Sequence, residues 1–245
     1  MSAALDGSDA AADAAANAPR LTGDGIRRGL ASSVPLGVAS AVLGAGFGVA
    51  ARQAALPLWS TLLMSGTVFA GAAQFAALPL WTAPLPLAPI WLSTLAVNAR
   101  FALLSAGLSP WTRRYRPWVQ WSSMFLLGEG QWAVGMQAHG QGERDFGVYV
   151  GSGLAVWIAW MTGTSAGHVA ATSLGDPRRF GLDLVLVLFF ASTLTGSWRG
   201  SRDLAPWAAA AAATGLSPSI VAPQWQVLVA ALVGAAVGAW RDTRP

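Results

Sequence analysis

The chain has 245 residues, of which 54% are hydrophobic and only 11% charged. A soluble globular chain carries about a quarter charged residues, so this one lacks the polar surface for a water-exposed globule and reads as all-α, a polytopic helical membrane protein. Its net charge of +4 comes from arginine without any lysine and is spread over short loops, which excludes a clustered basic patch for nucleic acid. Cysteine is absent, which excludes disulfides, thiolate metal sites and cysteine nucleophiles.

In chain order, the opening "MSAALDGSDAAADAAANAPR" has neither the basic start nor the apolar core of a signal peptide. We expect residues 1–25 to be a disordered cytoplasmic tail and 26–245 a single transmembrane domain. A first span runs from Gly29 to Ala51, with Pro35 and several glycines inside it, and a second from Leu56 to Trp81. After the proline-punctuated "APLPLAP", a third covers about 87–108 and ends in "SPWTRRYRPW", whose arginines and aromatics mark a membrane interface. The fourth is expected at about 118–138 and the fifth at 146–171, separated by "GERD"; the sixth falls at about 180–197 and a short final pair at 204–221 and 224–240. That predicts seven or eight crossings of roughly 20 apolar residues each, all helical because backbone groups in lipid must be satisfied internally. Spans 1–3 and 4–6 are candidates for an inverted repeat, with Gln74 and the "GTSAG" of 163–167 in corresponding helices. Trp59 and Trp81 are 22 residues apart, about 33 Å along a helix and close to the hydrocarbon thickness. Trp121, Trp132, Trp157 and Trp160 fall further inside and are expected to face protein or a cavity. The arginines divide almost evenly between the two sides of eight simple spans, so the positive-inside rule does not orient the chain; a re-entrant second segment would put the three-arginine loop inside. GxxxG pairs at Gly44/Gly48, Gly147/Gly151, Gly163/Gly167 and Gly234/Gly238 predict close helix packing.

Polar groups inside apolar spans are few and are the candidates for function. "TLAVNARFALLSAG" (94–107) holds Asn98 and Arg100, which a regular helix would point about 200° apart; a helix break or different roles follow. Gln74 lies among small residues in "AGAAQF", and Glu129 stands between two glycines in "LLGEGQW", where helix hydrogen bonding is weak. Asp183 opens the sixth span, where an acid favours a helix N-terminus. Arg100 has two readings: a pair with Glu129 or Asp183 that fixes helix register, or a fork for a substrate carboxylate. Glu129 would take an amino group or a proton. "GTSAG" matches the GxSxG nucleophile pattern, but the only histidines are His168, in the same helix, and His139 at a loop edge, so no enzyme is expected. Two histidines and no cysteine likewise predict no metal site, and no cofactor motif is present.

"FAGAAQFAAL" (69–78) followed by "LSTLAVNARFALLSAGLSP" (92–110) closely resembles the AzlC family, which reads "FAGASQF", then N-x-R, then "SASLAP". "PLGVASAVLGAGFGVAA" (35–51) and "FGLDLVLVLFF" (180–190) extend the resemblance over nearly everything after the tail. It implies an inner-membrane, proton-coupled exporter of branched-chain or other hydrophobic amino acids such as valine, leucine, isoleucine or methionine. It also implies a small AzlD-like membrane subunit as partner. The positions carried over are Gln74, Asn98, Arg100 and Asp183. The chain departs from the pattern in two places: Phe101 replaces the family's histidine after the arginine, and Leu127-Gly128-Glu129 replaces "TDE", keeping only the glutamate, which removes two proton carriers. The alternatives are a transporter of another small carboxylate-bearing solute, a channel, or a scaffold subunit without transport of its own.

Overall fold

A computed structural model describes residues 20–173, 200–217 and 221–243, with Val187, Ala191, Thr195 and Trp198 between them. The described residues are helical throughout, with no strand; a single bridge pairs Arg20 with Asp145. The helices are α1 (Gly23–Ser32), α2 (Val34–Gln53), α3 (Leu58–Val68), α4 (Gly71–Ala77), α5 (Leu87–Asn98), α6 (Arg100–Thr112), α7 (Pro117–Phe125), α8 (Glu129–Gly140), α9 (Gly147–Ser173), α10 (Leu204–Leu216) and α11 (Pro223–Asp242). The sixth expected span lies outside the described residues. Helix α1 begins at Gly23, capped by the Thr22 hydroxyl, so regular structure starts ahead of residue 26.

Two helical stretches among the described residues are long and apolar enough to cross a membrane, Val34–Gln53 and Leu87–Thr112. Their outward faces agree with a lipid setting: Val34, Val38 and Val42 on α2, and Trp91 and Leu95 on α5, are all exposed at helical spacing. Helix α9 is longer, at 27 residues, and carries Gly, Ser, Thr and His among its apolar residues.

The expected second and fourth spans are not single helices. Over 56–81 the helix stops at Phe69, whose φ of 43° is left-handed, and resumes at Gly71. Across this bend the Gln74 amide donates to the Ser65 hydroxyl at 3.0 Å. In a continuous helix those residues would be about 13 Å apart along the axis, so α3 and α4 fold back on each other as a hairpin. The same test applies to 117–140, where an unbroken helix would hold its ends about 35 Å apart. Instead Tyr115, before α7, packs on Phe146, after α8, with ring centroids 5.1 Å apart, and Trp111 stacks on His139 at 4.9 Å. Helices α7 and α8 therefore form a second hairpin, turning at Leu126–Gly128. The Trp59–Trp81 spacing consequently measures a path that reverses, not a membrane thickness. "GTSAG", by contrast, lies within unbroken α9, while 117–140 is broken as 56–81 is.

By contacts the chain divides into two compact units. One comprises residues up to Val42 with Arg100–Thr162, the other Leu43–Ala99 with Gly163 onward. The first unit is centred on Leu108, Trp111, Leu127, Phe146 and Tyr149, all buried, with Phe101, Trp132 and Met136 packed around them. Here α1 lies against α9 through glycine: a Cβ on Gly29 would sit 2.1 Å from the Val148 carbonyl oxygen, and one on Gly151 2.1 Å from that of Ile26. In the second unit Gly48 approaches the Thr164 carbonyl oxygen to 2.2 Å on the same measure, and Gly167 that of Ala45 to 2.0 Å. Gly234 packs against Ala210 and Pro206 in the α10–α11 pair. The GxxxG spacings thus serve packing within the chain. Of the inner tryptophans, Trp160 is buried and Trp132 partly so, while Trp121 is 77% exposed, contrary to expectation, because it lies on the outer face of α7.

Candidate functional site

At one end of the first unit the chain is tied by ionic and hydrogen bonds. Asp145 accepts from the Thr22 N–H at 3.1 Å, from the Thr22 hydroxyl and from the Gly147 N–H at 2.8 Å; Arg28 reaches Glu143 at 2.6 Å and Asp145 at 3.6 Å. Burial alone would raise the Asp145 carboxyl, but these donors outweigh it and hold it below the usual carboxylate range. The Tyr115 hydroxyl donates to the Arg20 carbonyl at 2.6 Å, and burial pushes that phenol up. Residues 20–28, 113–116 and 143–146 therefore meet at this end, bringing the N-terminal arginines and the three-arginine loop together.

Away from that end, the structure joins Arg100 to Glu129. Glu129 is the first residue of α8, just past the hairpin bend, where the helix N-terminus favours a negative charge. Gly128, extended at φ −150°, makes the bend; a Cβ there would meet the Gln131 side chain at 2.5 Å. The Arg100 Nη1 lies 2.7 Å from Glu129 Oε1, and the guanidinium also lies over the Phe101 ring at 5.5 Å. The pair is open: the side chains are 36% and 60% exposed. Its pairing is also incomplete, because the Arg100 Nε is buried and has no hydrogen-bond partner. Trp132, on the next turn of α8, has a buried indole N–H without a partner and packs on α6 at Gly107.

Gln74 and Asn98 belong to the second unit, on the packed helices α4 and α5. Gln74 is fully buried; its amide N–H is used by Ser65, while its Oε1 has no partner. The Asn98 Oδ1 is likewise buried and unpartnered. Helical hydrogen bonding lapses at Ala99, and the boundary between the compact units falls there. Ala99 keeps helical dihedrals and Leu87–Thr112 runs on as one helical stretch, so no sharp break separates Asn98 from Arg100, and the two residues fall in different units. Asp183 lies outside the described residues. His168 is buried with Nε2 2.9 Å from the Leu56 carbonyl oxygen, and His139 stacks on Trp111, so both histidines have packing roles. Among the described residues no cluster of His, Asp and Glu could hold a metal.

Sequence reasoning missed the Asp145 hub, whose "GERD" loop gave no sign of a partner 123 residues away, and of the hairpins it raised only a re-entrant second segment, the glycines beside Glu129 being the visible signal of the other.

The family model described as AzlC protein matches residues 35–174, which takes in both hairpins and Gln74, Asn98, Arg100 and Glu129 but stops short of Asp183. No curated protein and no solved structure matches the chain. The match covers more than half of the sequence, and on it the chain belongs to the AzlC family, as a transport-related membrane protein.

Proposed function

We propose that this protein is a secondary transporter that exports hydrophobic amino acids, the branched-chain ones and methionine, across the inner membrane. It has no catalytic chemistry of its own in this reading, works with a small AzlD-like membrane subunit, and draws on a proton gradient with Glu129 as the candidate carrier. The observation that carries the proposal is the open, half-used ion pair Arg100–Glu129 at a helix bend. A zwitterionic amino acid has the complementary pair of charges. Its carboxylate would take the Arg100 fork, including the buried Nε that lacks an acceptor, and its ammonium would take Glu129. Half-helix ends at interrupted spans are where secondary transporters place such groups. Phe101 and Trp132 adjoin the pair and would meet an apolar side chain. In the second unit, the unpartnered oxygens of Gln74 and Asn98 suit acceptance from a substrate N–H.

For topology, the meeting of residues 20–28, 113–116 and 143–146 concentrates seven arginines against three carboxylates at one end of the first unit. By the positive-inside rule that end faces the cytoplasm. Hairpins that return to their starting side reduce the number of full crossings below the seven or eight that simple spans would give.

The test is the internal pool of branched-chain amino acids and methionine in cells fed the matching dipeptides. Cells expressing this chain, alone and with a small membrane protein encoded beside it, are compared with cells expressing Arg100→Ala. Lower pools with the native chain, abolished by the variant, support export through Arg100. Unchanged pools under every pairing, with the protein verified in the membrane, overturn the substrate class.

A further inference from the structure

A second site lies in the first unit, apart from the ion pair. Leu21, α7 and α9 enclose an apolar groove of about 350 Å³, lined by Trp118, Ser122, Phe125, Val150, Leu154 and Trp157 among others. Val150, Leu154 and Trp157 follow the spacing of one helix face, and the α7 wall from Trp118 to Phe125 is about 10 Å long. The hydroxyls of Ser122 and Ser123 are spent on carbonyls of their own helix, Val119 and Gln120. The groove thus offers nothing to a zwitterion and accepts hydrocarbon.

Arginines adjoin its lining residues in the chain. Trp118 stands two residues after Arg116, the N-cap residue of α7, and Leu21 adjoins Arg20. Arg113 and Arg116 are exposed and, among the described residues, have no carboxylate partner. The carboxylates nearest in the fold, Asp24, Glu143 and Asp145, are engaged by Arg27 and Arg28. We propose that this groove binds an anionic phospholipid, with its phosphate at Arg113 and Arg116 and one acyl chain along α7 and α9. The charge complementarity decides the occupant: a zwitterionic lipid brings a headgroup cation that offsets the pull of its phosphate on the arginines, and an apolar helix brings no charge at all.

Native mass spectrometry of the full detergent-purified chain tests this, with phosphatidylglycerol and phosphatidylcholine of identical acyl chains as probes. The native protein is expected to retain phosphatidylglycerol with a preference of roughly tenfold or more. Arg113→Gln with Arg116→Gln should abolish the preference. Ser122→Phe, which fills the groove from its rim, should lower retention of both lipids with the arginines intact; Leu154→Phe repeats the test from the opposite wall. Melting temperatures without lipid identify any variant that misfolds. Equal retention of the two lipids by the native protein overturns the proposal. So does a phosphatidylglycerol preference that survives the arginine changes, or one that survives both groove-filling changes, since the latter would reduce the effect to ionic adsorption.

Discussion

The two helical hairpins turn by different means and hold different chemistry. Hairpin α3–α4 turns on a left-handed Phe69, and its arms are joined by a neutral pair, Gln74 and Ser65, both fully buried. Hairpin α7–α8 turns on an extended Gly128 and places a carboxylate, Glu129, beside the bend, where a half-buried Arg100 meets it. A buried neutral hydrogen bond contributes about 1 kcal/mol and fixes how two arms meet. A part-exposed charge pair contributes only about 0–1 kcal/mol where water reaches it, and its partners can be exchanged. One hairpin is thus held by a fixed internal bond, and the other carries a pair whose partners can be exchanged.

The sharpest way to break this contrast is to change both hairpins and read transport. Arg100→Lys keeps the charge but loses the fork, and should lower export about 10- to 100-fold at equal expression, the equivalent of one lost charge-assisted contact. Gln74→Leu should lower it less than tenfold. Comparable losses in counterflow from proteoliposomes would erase the distinction.

Packing offers a second comparison. Gly29→Ala in the first unit and Gly48→Ala in the second would each drive a Cβ to about 2 Å from a backbone oxygen, with little room to yield. Each should destabilise by about 1–3 kcal/mol, visible as a lower melting temperature. Gly215→Ala, in α10 with nothing within 4 Å, should be neutral or stabilise by up to about 1 kcal/mol. A destabilised Gly215→Ala beside an unaffected Gly48→Ala would contradict the packing described.

Asp145 sharpens the account of the ionic end. Its carboxyl is held below the ordinary value of about 3.9. A depressed folded-state value means its stabilisation is fully present above about pH 4 and is lost as pH falls further. Melting temperatures of the native protein should therefore drop more steeply between pH 5 and pH 3 than those of Asp145→Asn, which should be less stable at neutral pH by about 1–3 kcal/mol. Parallel pH profiles would remove Asp145 from that role. A small effect is also expected on stability in Gln74→Leu: about 1 kcal/mol, for the lost bond to Ser65.

Much of this arrangement was legible in the residues. The apolar runs located α2, α5–α6 and α9 within a few positions, because a helix in lipid must be long and uniformly apolar. Glu129 between two glycines marked the bend at Gly128. The hairpins were not legible as such. A run of 24 apolar residues reads the same whether it crosses or doubles back, since both settings reward the same composition. Trp59 and Trp81 show how a plausible spacing misleads once the path reverses.

By itself, the sequence determined that this is an α-helical membrane protein of the AzlC family and named its few intramembrane polar groups, because composition and local motifs need no partner to be read. Only the tertiary structure decided which of those groups meet. Arg100 chooses Glu129 through the turn at Gly128, Gln74 chooses Ser65 through the turn at Phe69, and Asp145 closes on Thr22 across 123 residues. Such pairings depend on where the backbone reverses, and the reversals are set by a few bend dihedrals and by glycines that admit a neighbouring backbone, which leave almost no trace in hydropathy.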